Sequence, residues 1–475
     1  MRFEGRAAPT RPAPQPKQTP MGILDFIIPR KTFSHGGIHP AEHKELTAGL
    51  PIRRLPFAPQ LAVLLSQHRG APAVPIVKVG QEVVRGEPIA RAAGFVSVPM
   101  HAPATGVVKA IEPWATAEGP KAEAIVIEVY QAASQQVLYD TVVDVEALTP
   151  DEIVMAVQDA GLVGLGGAAF PSHVKMKPPK GKDVEIVVVN GCECEPYLTC
   201  DHRVMLEKTD QLIRGIRIAM KATGVSRAMI GVEDNKLDAV AAIEAKLPKD
   251  GSITVHAIET KYPQGAEKML IESLLGRQVP PGGLPADVGV AVFNVGTLAQ
   301  IGELLPRGRG LIERVVTVSG PGVQRPGNYL VPIGTPLRFL LDHVGAKAGA
   351  NEVILGGPMM GMSVASVDVP ITKAVSGIVV YERGDVDQKH RLVFPCIKCA
   401  RCVEACPMHL NPSMLGELAR KRQYETMEQK FNLSDCFECG CCAYVCPSNI
   451  PLTQYFRIAK AINREQKIEA AKDKK

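Results

Sequence analysis

Apolar and polar positions follow two rhythms along this chain, and the change of rhythm marks out its parts. Between residues 74 and 129 they alternate in short runs broken at Gly80, Gly86, Gly94, Gly106 and Gly119, which predicts the short strands of a small β barrel. From Thr149 the period lengthens. Thr149, Pro150 and Glu152 spell a helix start, Ile153, Val154 and Val157 give the buried stripe, and Gly161 supplies the stop. Val184 to Val189 is an apolar run of the kind found in strands buried on both faces. Helical patterns near 203–222 and 237–247 then alternate with strands at 227–232, 253–258 and 288–293 before a last helix to Leu305. That order predicts a three-layer α/β domain. Residues 313–345 read as strand, turn, strand and helix. Further on, Met414, Leu415 and Leu418 recur at helical spacing amid Glu417, Arg420, Lys421 and Arg422.

At 475 residues the chain is too long for one core, so several domains are expected. Residues 1–20, with Pro9, Pro12, Pro14, Pro16 and Pro20, cannot build a core and read as an unstructured extension, with ordered chain beginning at Met21–Ile28. The net charge of +5 sits at the ends. Residues 1–31 carry six basic and two acidic side chains, and residues 457–475 seven and three, which leaves the body at −3. A basic surface for nucleic acid is therefore absent, and the tails read as solvated charge. No apolar run is long enough to span a membrane.

The cysteines change the picture most. Cys396, Cys399, Cys402, Cys406 and Pro407 repeat as Cys436, Cys439, Cys442, Cys446 and Pro447, twice the spacing C-x2-C-x2-C-x3-C-P. In that run three thiolates hold one iron–sulfur cluster and the fourth reaches across to the other. Two 4Fe-4S clusters are expected, one on Cys396, Cys399, Cys402 and Cys446, the other on Cys436, Cys439, Cys442 and Cys406. Zinc sites pair shorter knuckles and fit this spacing poorly, and disulfides belong to oxidising compartments. Cys441 has no ligand slot left and reads as a packed thiol. Cys192, Cys194 and Cys200 match no cluster run and read as thiols. His35 and His39 sit among Gly36, Gly37 and Pro40, which predicts a turn rather than a metal site.

Gly161-Leu-Val-Gly164-Leu-Gly166-Gly167-Ala168-Ala169-Phe170-Pro171 follows a helix, so it lacks the strand that a dinucleotide fingerprint requires. Its missing side chains still allow close approach of a ring or phosphate, and bare N–H groups suit anionic oxygens. Gly161–Lys175, Asn190–Pro196, Tyr262–Glu267 and Asn294–Ala299 resemble the flavin and NADH segments of the flavoprotein subunit of respiratory complex I. The resemblance implies FMN contacts from Gly164, Gly166, Gly167, Lys175, Asn190, Asn294 and Thr297. It also implies a nicotinamide side lined by Phe170, Glu193, Glu195 and Glu267. Cys192 stands where that family has an acid.

Val79–Gly86 and His101–Val108 resemble a lipoyl-type barrel-sandwich hybrid, with Val98-Pro99-Met100 where carriers have their modifiable lysine. A structural module is therefore expected. Residues 313–345 resemble a soluble-ligand-binding (SLBB) β-grasp module, and the cysteine runs a helical two-cluster ferredoxin domain. In order, these parts are similar to the C subunit of Rnf (Rsx) ion-translocating electron-transport complexes, over nearly all of residues 30–457. The expected division is a proline-rich extension at 1–20, an N-terminal region with the barrel-sandwich hybrid at 21–135, and a Rossmann-like FMN/NADH α/β domain at 136–308. The SLBB β-grasp follows at 309–388, the ferredoxin domain at 389–457 and a basic tail at 458–475. The resemblance implies an NADH-dependent oxidoreductase with FMN and two 4Fe-4S clusters, NADH being the substrate. It also implies membrane-embedded and ferredoxin-like partner subunits, ferredoxin or flavodoxin as an indirect partner, and a peripheral place on the cytoplasmic face of a bacterial inner membrane. A cobalamin reductase of microcompartments, a soluble hydrogenase or formate dehydrogenase module, and a non-enzymatic electron-transfer scaffold remain alternatives.

Overall fold

The computed structural model describes residues 31–179, 181–347, 350–382 and 392–472. The extension expected at 1–20 and the ordered start expected at Met21–Ile28 lie outside the described residues.

Two small antiparallel sheets form the barrel-sandwich hybrid. One holds Gln60–Leu64, Ala122–Val129, Gly106–Trp114 and Glu82–Val83, and the other Val74–Pro75, Pro88–Arg91 and Met100–His101. Val98 and Met100 are fully buried, so the place of a carrier's lysine is packed inside the protein. The preceding strand, Ile52–Arg54, belongs elsewhere. It pairs in parallel with Gly327–Pro332 and edges the six-stranded β-grasp sheet.

The flavin-type domain opens with α1 (Pro150–Asp159), whose start is the reciprocal Thr149–Glu152 capping box, and Gly161 follows it at φ +68°. Four parallel strands follow, β1 (Ile186–Gly191), β2 (Ala228–Glu233), β3 (Ile253–Ile258) and β4 (Val290–Asn294), in the spatial order β3-β2-β1-β4. Val187, Val188 and Val189 are fully buried, because helices cover both faces. The helix expected at 203–222 is two, α2 (Cys200–Glu207) and α3 (Thr209–Thr223), broken at Lys208. α4 (Glu267–Leu275) and α5 (Val295–Leu304) complete the layers. α3 and α5 cross backbone to backbone at Gly215 and Gly302, where neither position has room for a Cβ. The direction of winding reverses between β1 and β4. Ligands in open parallel sheets bind beyond the strand ends at such a reversal.

The ferredoxin domain differs from expectation in two ways. The single helix expected between the cysteine runs is α6 (Pro412–Arg420) and α7 (Tyr424–Phe431), separated by Arg422 in a left-handed conformation at φ +55°. The solvated tail expected at 458–475 is, as far as it is described, the continuation of α8 (Leu452–Lys472). Leu452, Phe456, Ala459 and Asn463 form a buried stripe along α8, while Lys460 and Lys467 pair with Glu438 and Glu428. The charge count hid a helical period.

Candidate functional site

The glycine-rich turn lies over the sheet's switch point. Thr297, in the first turn of α5, accepts a hydrogen bond from Leu165 N at 2.8 Å, and Gly164 N donates to Phe170 O at 2.8 Å. Between these ties Gly166, Gly167 and Ala168 are exposed, and among the described residues nothing accepts from their N–H groups. Gly167 takes φ +102°, and open space surrounds the position of its absent Cβ. A Cβ on Gly166 would touch the Asn294 side chain at 3.4 Å. Such a cradle suits the phosphate and ring of a mononucleotide.

Lys175 and Glu267 meet beside it, Nζ to Oε2 at 2.7 Å, and Lys175 also donates to Val292 O. Asn294 caps α5 by accepting from Thr297 N and donates to Asp201 Oδ2 at 2.6 Å. Asn190, at the end of β1, donates to Gly265 O at 2.8 Å and accepts from Cys192 N. The fold thus brings Gly164, Gly166, Gly167, Lys175, Asn190, Glu267, Asn294 and Thr297 to one end of the sheet. Asn190 spends its side chain on the backbone of Gly265 and Cys192, and the Thr297 hydroxyl accepts from Leu165 N and donates to Asn294 Oδ1, so both shape the cradle.

Glu193 and Glu195 turn elsewhere. Glu193 accepts from Asp201 N and His202 N at the start of α2, a place where helix geometry favours an anion. Glu195 accepts from Met359 N and Met360 N of the β-grasp loop. Burial raises its carboxyl above the ordinary carboxylate range, against the pull of those two amides. Two further residues give no sequence signal. Lys44 is buried and donates to the carbonyls of Glu193, Glu195 and Leu198, which fixes the acidic segment. Asp201 holds Asn294, and burial followed by the Glu193 charge raises its carboxyl to about 7.

The cysteine runs fold into two quartets. Cys402 stands among Cys446, Cys396 and Cys399, and Cys442 among Cys439, Cys436 and Cys406. In each case burial, then the charge of those neighbours, raises the thiol's pKa. Among the described residues no three His, Cys, Asp or Glu side chains close round a single ion. Zinc would draw its sulfurs to about 2.3 Å from one centre. Cys441 is fully buried. Cys192, Cys194 and Cys200 are free, and burial above all raises the thiols of Cys192 and Cys200 well above the ordinary range. His35 stacks on His409 at 4.1 Å while His39 turns to Thr260 O, so the two do not converge.

Four family models match in sequence order: an RnfC barrel-sandwich hybrid domain over residues 32–132, a Nuo51 FMN-binding domain over 157–303, an SLBB domain over 315–363 and a 4Fe-4S dicluster domain over 395–450. FMN and two 4Fe-4S clusters are accordingly its cofactors. The C subunit of the proton-translocating ferredoxin:NAD(+) oxidoreductase complex of Clostridium ljungdahlii is 43% identical over 91% of this chain and 94% of its own length. The C subunit of the Na(+)-translocating ferredoxin:NAD(+) oxidoreductase complex of Acetobacterium woodii is 41% identical over 83% and 88%. Among solved structures, an NAD+-reducing [NiFe]-hydrogenase in the H2-reduced state aligns at TM-score 0.50 and 20% identity, over 64% of this chain and 61% of that one, a likeness of fold alone. With identity sustained over nine tenths of the chain and all four modules in order, the chain belongs to the family of C subunits of ion-translocating ferredoxin:NAD(+) oxidoreductase complexes.

Proposed function

We propose that this chain oxidises NADH at the β1/β4 switch point and passes single electrons through two cysteine quartets to partner subunits of a membrane complex. The observation that carries this reading is the open glycine turn at the end of the sheet, where the N–H groups of Gly166, Gly167 and Ala168 are exposed and have no acceptor among the described residues. When bound, FMN takes up two electrons with a hydride and releases them singly to 4Fe-4S clusters.

The chain's own residues supply the rest. Gly164, Gly166 and Gly167 leave room and donors for an anionic mononucleotide, Thr297 holds that backbone through Leu165 N, and Asn190 holds the neighbouring segments at Gly265 and Cys192. The Lys175–Glu267 pair presents one positive and one negative group at the rim, and Asn294 is held by Asp201. Phe170 offers an apolar face for a ring, while Glu193 and Glu195 brace the nicotinamide side through α2 and the β-grasp loop. Cys396, Cys399, Cys402 and Cys446 would hold one cluster, and Cys406, Cys436, Cys439 and Cys442 the other.

The partners are the complex's other subunits, among them membrane-embedded and ferredoxin-like ones, with ferredoxin or flavodoxin beyond them. No helix among the described residues is long and apolar enough to cross a membrane. A peripheral position on the cytoplasmic face of the inner membrane, held by those subunits, fits that finding. Flow in either direction is open to the same residues. Anaerobically prepared protein should contain eight irons and one FMN, and NADH should bleach the flavin and then the cluster absorbance. Zinc in place of iron, or a flavin that NADH leaves oxidised, rules the reading out.

A further inference from the structure

One short segment joins the two halves of this site. At its far end Gly265 O accepts from Asn190, and Glu267 pairs with Lys175. At its near end Tyr262 is almost fully buried and donates its hydroxyl hydrogen to Cys439 O at 2.7 Å. The Tyr262 backbone is held in turn. Tyr262 N donates to Ile38 O and Ile38 N to Tyr262 O, both at 2.8 Å. The loop that supplies Ile38 also grips the other end of the same quartet. Gly37 N donates to Ala405 O at 3.0 Å, and Gly36 lies so close to Cys406 that a Cβ would stand 2.7 Å from its carbonyl carbon. Ile38, Tyr262, Ala405, Cys439 and Cys441 form one buried apolar cluster, with Cys194 packed against it.

These contacts converge on Cys406 and Cys439, two members of the quartet that holds Cys436 and Cys442. The described hydrogen bonds of the segment from Leu392 to Cys396 stay inside the ferredoxin domain, with Ser413, Ser448 and Asn449. A hydroxyl whose positive end is held against a ligand cysteine's backbone fixes that ligand and favours the more negative, reduced state of the site by its dipole. We infer that Tyr262 is a positioning residue that fixes the inner quartet against the flavin cradle and sets the potential of that quartet's cluster. The inference rests on the flavin and cluster reading above.

The test is Tyr262→Phe in the full-length holoprotein, with the exposed barrel residue Tyr130→Phe as control. Iron and FMN are counted first, and each cluster's potential is then read from an EPR-monitored redox titration. Tyr262→Phe should keep eight irons and one FMN while one cluster becomes harder to reduce. The shift should be about tenfold in its electron equilibrium with the flavin, or about 59 mV for one electron. The other cluster, and both clusters of Tyr130→Phe, should stay where they are. Gly36→Ala, which pushes on the Cys406 carbonyl from the other side, should disturb the same signal. Full iron and FMN with neither potential moved overturns the role of Tyr262, as does a shift confined to the other cluster. Loss of four irons overturns it too, since the hydroxyl would then build the site rather than tune it. Wild-type protein without iron or FMN instead overturns the underlying reading.

Discussion

The two cysteine runs share one spacing and one local fold, yet they sit in opposite surroundings. Cys439 and Cys442 of the second run are buried, as is the first run's crossing Cys406, whereas Cys396 and Cys399 are exposed. The residues between the cysteines make the difference. Second in its interval, Arg401 keeps the first run in water, where the second run has Cys441 with no exposed surface. Just before them Ala400 and Gly440 both take left-handed backbone, at φ +62° and φ +83°. Gly440 does so against the β-grasp loop, with Met359 O 3.1 Å from where a Cβ would be. Around the outer run Ile397 is 67% exposed and Phe394 52%, an apolar surface unusual for a lone domain. One motif used twice thus gives an inward quartet that fastens three domains together and an outward one whose cysteines Cys396 and Cys399 are exposed. Arg457 shows the fastening in a single side chain, since it reaches both Glu438 and Met360 O.

Removing one thiolate from each quartet should have the largest effect. Cys442→Ala should lose the inner cluster together with much of the interdomain packing, at more than about 4 kcal/mol in calorimetric unfolding. Cys399→Ala should lose four irons and leave the flavin domain's melting in place. Equal melting losses would erase the distinction.

A mirrored pair of backbone changes comes next. Gly440→Ala should destabilise by more than about 1 kcal/mol, from a strained φ and a crowded Cβ. Ala400→Gly should stabilise by about 1 kcal/mol, by relieving a left-handed alanine. Urea titrations of the two variants read this directly, and opposite changes of equal size would mean that the surroundings do not matter.

Ile397→Ser should change stability by no more than about 0.5 kcal/mol. NADH reduction of the flavin should also be unaltered, while electron delivery to the purified membrane partners slows several-fold. An unchanged delivery rate would place the exit elsewhere.

The remaining test concerns the entry side and its pH dependence. Asp201 titrates near 7 in the folded protein, against its ordinary value of 3.8. Between those values the unfolded chain has lost a proton that the folded chain keeps, so this group's contribution to stability falls as pH rises through that window. Asp201→Asn should flatten the decline in melting temperature between about pH 4 and 7. A parallel decline in both proteins would show that Asp201 is not its source.

Much of this was legible in the sequence. The capping box at Thr149–Glu152, the apolar run at Val187–Val189 and the twin cysteine spacings each rest on local chemistry, and local chemistry is what a sequence displays. Long-range satisfaction is not displayed. Nothing near Lys44 in the chain announces three carbonyls about 150 residues away, and Ile52–Arg54 shows no sign of pairing with Gly327–Pro332. The carboxylates of Glu193 and Glu195 have the residue type of ligand groups, but an α-helix start and a loop amide pair claim them. The stripe along α8 was hidden by its lysines, of which Lys460 pairs with Glu438 and Lys467 with Glu428 while Phe456 and Ala459 face in.

Rapid mixing of anaerobic holoprotein with NADH, freeze-quenched for EPR, tests the central claim most directly. The cluster whose potential moves in Tyr262→Phe should be reduced first, and the cluster lost in Cys399→Ala second. Reduction of the outer cluster first, or at its normal rate in protein lacking the inner one, would contradict the account.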